Sequence, residues 1–290
     1  MFTVLGRPGG LLAVYAGLSL AAVAVGVLVT ATNGAPAAAW IGNLAAWAVG
    51  GAIAFGVMRW LRPSWVQWFL WAAPIGLALT FIGAGQEGVH RWLDLGVAQV
   101  NMAMLLLPAA IVSLSFLAFE QRFAWIAAAI ALALLALQPD ASQATTLAAA
   151  AMLIALAAVR HVVLKFALVA GAAALAAIAW MRPDPLQPAP EVEGVLDLAM
   201  GRSPLLAALA ALLLVCLATT PLFITLLRRD RLRIASLALG LTFVVWSLMP
   251  AMGHFSVPWL GLGMSPILGA WLGVGLLAGA LRPEVHTQLN

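Results

Sequence analysis

The sequence predicts an all-α polytopic membrane protein, with about ten transmembrane helices in one bundle. Three observations carry this. Of its 290 residues, 64% are hydrophobic and only 8% are charged, whereas soluble domains carry about 25% charged residues. Mean hydropathy is +1.07. The apolar residues fall in continuous runs near the length of about 20 residues that a bilayer core requires. A helix satisfies its backbone hydrogen bonds within itself, as lipid demands. A membrane β-barrel would need polar and apolar residues in alternation, and these runs do not alternate.

Runs broken by Pro, Gly and charge place the spans at 10–31, 37–58, 64–83, 97–118, 122–137, 142–159, 162–181, 204–227, 233–249 and 258–281. The first is too long for a signal peptide and lacks a convincing cleavage site, so it reads as an anchor. The fifth and sixth are short and Ala-rich, separated only by 138–143. Pro139 and Asp140 favour a turn between two spans there over one bent re-entrant pair. The single cysteine, Cys216, excludes an intramolecular disulfide and reads as a small packing residue. Residues 1–290 read as one transmembrane domain, whose longest connection is the loop 182–204.

Charge gives the orientation. With the N-terminus in the cytoplasm, Arg7, Arg59, Arg62, Arg122, Arg160, Lys165, Arg228, Arg229, Arg231, Arg233 and Arg282 face inward. Only Arg91, Arg182 and Arg202 face outward, a strong positive-inside bias. An even span count returns the C-terminus to the cytoplasm. The net charge of +4 is thereby explained by topology, and nucleic acid is not expected as a partner. The basic cluster at 228–233 would face anionic lipid headgroups.

Most carboxylates fall on the outer side: Glu87, Asp94, Asp140, Asp184, Glu191, Glu193 and Asp197. No phosphate-binding glycine loop and no paired histidines at metal spacing are present. Outward carboxylates can act as general bases, bind a divalent cation such as Mg or Mn, or simply be solvated. Three outer connections concentrate polar residues. The first is 88–96, with His90, Arg91, Trp92 and Asp94. The second is Gln138-Pro139-Asp140, where Asp140 suits a helix cap. The third is 182–204, in which Val192, Val195, Leu196 and Ala199 fit one face of a short surface helix. Trp92 suits an interfacial anchor. Arg91 and Asp94 could pair with each other or with Asp140, holding outer loops together.

These segments resemble the SEDS (shape, elongation, division, sporulation) family, the RodA/FtsW-like lipid II polymerases. Gly88-x-x-Arg91-Trp92-Leu93-Asp94-Leu95-Gly96 resembles its G-x-x-R-W-[IL]-x-L-G signature before span four. Gln138-Pro139-Asp140, followed by Ala144, resembles its [EQ]-P-D turn between spans five and six. Pro250-Ala251-Met252-Gly253, Pro258-Trp259-Leu260 and Gly263-Met264-Ser265 echo its P-x-T-G…L-P-F…Y-G-G-S segment, with a residue inserted. The sequence departs from the family at Asn101-Met102-Ala103-Met104 and Leu107, where the family has Q-P-S-E and a lysine. It departs again at Ser142 and Gln143, where a glycine and a serine or threonine follow P-D. In the long loop Pro190-Glu191 agrees with P-E-x-H-T-D-F, but Glu193 stands at the histidine and Val195 at the aspartate, with Asp197 two residues on.

The resemblance implies cell-envelope assembly at the outer face of the bacterial inner membrane. It implies a polyprenyl-diphosphate-linked sugar of the lipid II type as substrate, and a penicillin-binding-protein-type transpeptidase as partner. It implies a base in the long loop, Asp197 first and Glu193 second. Arg91, Trp92, Asp94 and Asp140 become candidates for substrate binding, and a divalent cation could share the diphosphate charge. Two other readings stand beside it: a non-catalytic scaffold that binds such a lipid, and a small-solute transporter. The near absence of charge within the spans argues against proton-coupled transport.

Overall fold

The computed structural model describes residues 5–96 and 98–289, and they are mostly helical. The apolar runs become α1 (Pro8–Thr32), α2 (Ala37–Trp60), α3 (Val66–Leu79), α4 (Met102–Leu117), α5 (Arg122–Leu137), α6 (Ala141–Ala158) and α7 (Val162–Met181). A short α8 (Val195–Arg202) precedes α9 (Pro204–Thr219) and a single turn, α10 (Leu222–Thr225). The chain ends with α11 (Arg231–Leu248), α12 (Met264–Ala280) and α13 (Pro283–Leu289), the last turned by 91° from α12. Among the described residues, seven helices, some with their short flanking turns, are long and apolar enough to cross a membrane, and the bent α12–α13 pair makes an eighth if it is one span. The apolar α4 and α5, at 16 residues each, span about 24 Å. The protein is a multi-pass membrane protein.

Local chemistry sets the helix ends. Pro8 and Pro204 open α1 and α9 at positions where a missing N–H costs nothing. Asn101, Asp140, His161 and Asp230 cap α4, α6, α7 and α11 by accepting backbone N–H groups. Pro139 and Asp140 separate α5 from α6, as expected for two helices. The alanines of this pair, Ala127, Ala128, Ala131, Ala144, Ala148 and Ala151, are buried and let the backbones approach closely.

Burial runs opposite to what water would select. On α7 only Ala172 and Ala179 are buried, while Val162, Val163, Leu164, Phe166 and Met181 are exposed. Aqueous solvent would not tolerate such an apolar face, but lipid tails cover it. Inside, α12 is the central helix, packed against α2 and α4. Its glycines permit that packing. Gly269 leaves room for the Met104 carbonyl, and a Cβ on Gly275 would lie 2.7 Å from Ala54 Cα.

Four boundaries differ from the sequence expectation, each for a local reason. The fourth span becomes helical only at Met102, because Gln99–Asn101 pairs as β2 with β1 (Trp92–Asp94). The eighth breaks after Thr219, where Pro221 opens α10. The tenth starts at Met264 and not at 258. Residues 258–263 are held extended or turned by side chains from other helices. The surface helix starts at Val195, because the Val192 and Glu191 carbonyls are taken by the amides of Val257 (3.1 Å) and Leu262 (2.8 Å).

The two ends of the bundle differ. At the end expected to face inward, Arg231 donates to Glu120 and to the carbonyls of Phe116 (3.3 Å) and Leu289 (3.2 Å). Arg282 joins Glu284 to the carbonyls of Met58 (3.2 Å) and Arg59 (2.7 Å). His286 Nε2 lies 3.1 Å from Asp230 Oδ2. These contacts fasten helix ends together. The opposite end holds a cavity.

Candidate functional site

A cavity of about 650 Å³ lies where the three polar outer connections meet the segment between α11 and α12. The first wall is 86–101. Glu87 and Gly88 both have positive φ (50° and 82°) in the two-residue turn that pairs Gln86 with Val89, the geometry that favours glycine in a tight hairpin. Gly96 (φ 79°) turns the β1–β2 hairpin, with Asp94 Oδ1 accepting its amide at 2.7 Å. Arg91 lies between the two hairpins and lines the cavity beside Trp92, Gln99 and Asn101.

The second wall is the α5–α6 turn. Asp140 accepts the Gln143 amide at 3.1 Å, so it caps α6, and its Oδ2 lies 3.8 Å from Arg91 Nε. Arg91 donates from Nη2 to the Pro139 carbonyl (2.5 Å) and to Asp184 Oδ2 (2.6 Å). One guanidinium therefore ties all three outer connections together. It pairs with Asp140 and Asp184, not with Asp94. Asp140 is almost completely buried, its side chain 6% exposed. Burial pushes its carboxyl above the ordinary aspartate value. The Arg91 charge and the Gln143 amide pull it back, and Asp184 adds to the rise.

The third wall is the long loop with the 254–266 segment. Glu193 faces the cavity, and its Oε2 accepts the Ala189 amide at 2.7 Å. Burial pushes its carboxyl up, opposed by that amide, by its own amide and by the charges of His254 and Arg91. The loop is fixed from behind. Asn43, buried in α2, donates to the Gly261 carbonyl (2.9 Å) and accepts the Gly263 amide (3.0 Å). Gly26 of α1 leaves room for the Leu260 carbonyl, and Gly261 for the Val192 carbonyl. Trp259, fully buried with φ 61°, donates to the Tyr15 hydroxyl at 2.9 Å. Membrane-embedded helices thus hold a non-helical segment whose polar backbone is satisfied by protein, as irregular backbone in a membrane protein must be.

Of the six residues singled out in the sequence, Arg91, Trp92, Asp140 and Glu193 line this cavity. Asp94 is exposed in the hairpin turn. Asp197 is exposed in the first turn of α8, while Val195 and Ala199 of the same helix are buried; it is not among the lining residues. Sequence reasoning missed Asp184 and Gln143. The prolines on either side of Asp184 exclude helix there, but nothing local places it at Arg91, 93 residues away in sequence. Among the described residues, no three His, Cys, Asp or Glu side chains gather as metal ligands.

The site is thus a cavity at one end of a helical membrane bundle, lined by an arginine whose side chain is 11% exposed and by two carboxylates of raised pKa. The fold has solved counterparts. It superposes on the crystal structure of the rod shape determining protein RodA from Thermus thermophilus with a TM-score of 0.66, over 92% of this chain and 95% of that one, at 17% identity. An aspartate-to-alanine mutant of the same Thermus thermophilus protein superposes with the same TM-score over 92% of this chain and 96% of that one, at 18% identity. No protein-family model and no curated protein sequence matches the chain. Its fold is RodA-like.

Proposed function

We propose that the protein is a glycosyltransferase of the bacterial inner membrane that polymerises a lipid II-type polyprenyl-diphosphate sugar at the outer face. The observation that carries this is that Glu193 and Arg91 line one cavity, on a RodA-like fold. Glu193 takes the proton from the 4-hydroxyl of the acceptor sugar. That oxygen attacks the anomeric carbon of the donor. The anomeric carbon–phosphate oxygen bond breaks, and its electron pair leaves on the polyprenyl diphosphate. A carboxylate raised towards neutrality is a better base than an ordinary one.

Arg91 receives the departing diphosphate. A guanidinium's planar fork suits two phosphate oxygens. The diphosphate displaces Asp184, the more exposed of the two carboxylates on Arg91 (34% against 6%). Asp140 stays as the fixed partner. The polyprenyl tail lies along the apolar lipid-facing helices, and a penicillin-binding-protein-type transpeptidase is the expected partner for the growing chain. The test is polymerisation of lipid II by purified wild-type protein in lipid nanodiscs, with the partner synthase added. Glycan chains are expected. Their absence across lipid-linked sugars, from protein that is folded, removes the enzyme reading.

A further inference from the structure

Gln143 is 2% exposed yet lines the cavity, one turn below the Arg91 clamp. Its side-chain amide has two ends, and which end faces the cavity decides what it recognises. Trp246 settles this. The Trp246 indole, itself 1% exposed, places Nε1 3.0 Å from Gln143 Oε1. An indole N–H can only donate, so the amide end against it must be the oxygen. The amide NH2 is then turned to the other side, where among the described residues it reaches only the Ser142 hydroxyl at 3.4 Å, the outer limit for a hydrogen bond. Ser142 also lines the cavity. Gln143 therefore presents a buried, uncharged donor with capacity to spare.

Trp246 is not free to turn. It packs against Phe243 (6.0 Å between ring centroids) and Trp259 (6.5 Å), and Trp259 is tied to Tyr15. The cluster locks the indole, and the indole locks the amide. The charge around Gln143 selects its ligand. Gln143 carries no charge and its backbone amide is bonded to the Asp140 carboxylate; the diphosphate goes to the Arg91 guanidinium, which leaves a neutral oxygen for the Gln143 amide.

Building on the glycosyltransferase reading, we infer that Gln143 donates from Nε2 to an uncharged oxygen of the substrate's sugar, with Trp246 as the positioning residue that holds the amide in the donating orientation. Two sugar oxygens have this chemistry: the carbonyl of an acetamido group and a ring hydroxyl.

The experiment is equilibrium binding to wild-type, Gln143→Leu and Trp246→Phe proteins in nanodiscs. The probes are three short-chain polyprenyl diphosphates: sugar-free, carrying N-acetylglucosamine, and carrying glucose. The quantity read is the affinity for each sugar-bearing probe divided by that for the sugar-free one. Gln143→Leu is expected to lower this ratio about tenfold, the size of one lost hydrogen bond with its partner left unpaired. Trp246→Phe, which removes the indole donor and frees the amide to flip, is expected to lower it by about threefold. A drop confined to the N-acetylglucosamine probe assigns the acetamido carbonyl, and a drop for both sugars assigns a hydroxyl. Unchanged ratios in Gln143→Leu overturn the inference and leave the glycosyltransferase reading standing. Failure of folded wild-type protein to bind any of the three removes that reading and the inference with it. Sugar-free binding in each variant controls for folding.

Discussion

Arginines organise both ends of this bundle, but to different ends. Arg231 and Arg282 pair with glutamates whose side chains are 63% and 60% exposed. They also reach carbonyls at helix ends. Such contacts fasten α4 to α11 and α13, and α2 to α12. The two glutamates are solvated, and solvent screens these pairs. Arg91 pairs with Asp140, 6% exposed, beside an open volume of about 650 Å³. Burying that pair has a desolvation cost that well-packed apolar residues would avoid. A closed end made of solvated clamps, and an open end that keeps a buried charge pair, is the distribution expected where one end only holds and the other also binds.

The comparison can be broken by mutation. Arg91→Leu leaves Asp140 buried without its cation, and should cost about 3–5 kcal/mol of stability. A fall in the thermal midpoint in detergent, together with loss of polymerisation, is the expected result; an unchanged midpoint would mean the pair is not buried as described. Gly26→Val is next. A side chain at Gly26 has no room against the Leu260 carbonyl, so it should push the 257–263 segment outward. A loss of about 1–3 kcal/mol, with weakened binding of the diphosphate lipid, would place α1 behind the site. Arg231→Leu at the closed end should cost only about 1 kcal/mol and leave polymerisation near wild type. A large loss of activity there would mean that the two ends are coupled.

The smallest effect is on pH dependence. Glu193 works as a base when ionised, and its folded pKa is raised. Activity is therefore lost as pH falls through a value above the ordinary 4.5. His254 is one of the charges that lower it, so His254→Ala should move the acid limb of kcat/KM further up. A limb that stays in place or moves down would separate His254 from the base.

The fold was legible because a bilayer reduces it to one variable. Each of the ten apolar runs coincides with an apolar helix, and the polar residues expected outside gather at one end. What was hidden is what local pattern cannot encode. Residues 258–263 are apolar and read as helix. They are held open by Asn43, Tyr15 and Gly26, more than 200 residues away in sequence. Asp184 and Gln143 are placed by Arg91 and Trp246, partners 93 and 103 residues distant. Helix phase sets Glu193 and Asp197 apart in position. Residues 190–194 form a turn and helix starts at Val195, so Asp197 lies on the exposed side of α8 while Glu193 faces the cavity.

That difference also supplies the most direct test of the account. Glu193→Gln and Asp197→Asn are isosteric changes that remove one charge each from the same loop. Measured as glycan formed per unit time by folded protein, Glu193→Gln should fall about 10²–10⁴-fold, the contribution of a positioned base, while Asp197→Asn stays near wild type. The opposite pattern, an inactive Asp197→Asn and an active Glu193→Gln, would contradict the assignment of the base to the cavity.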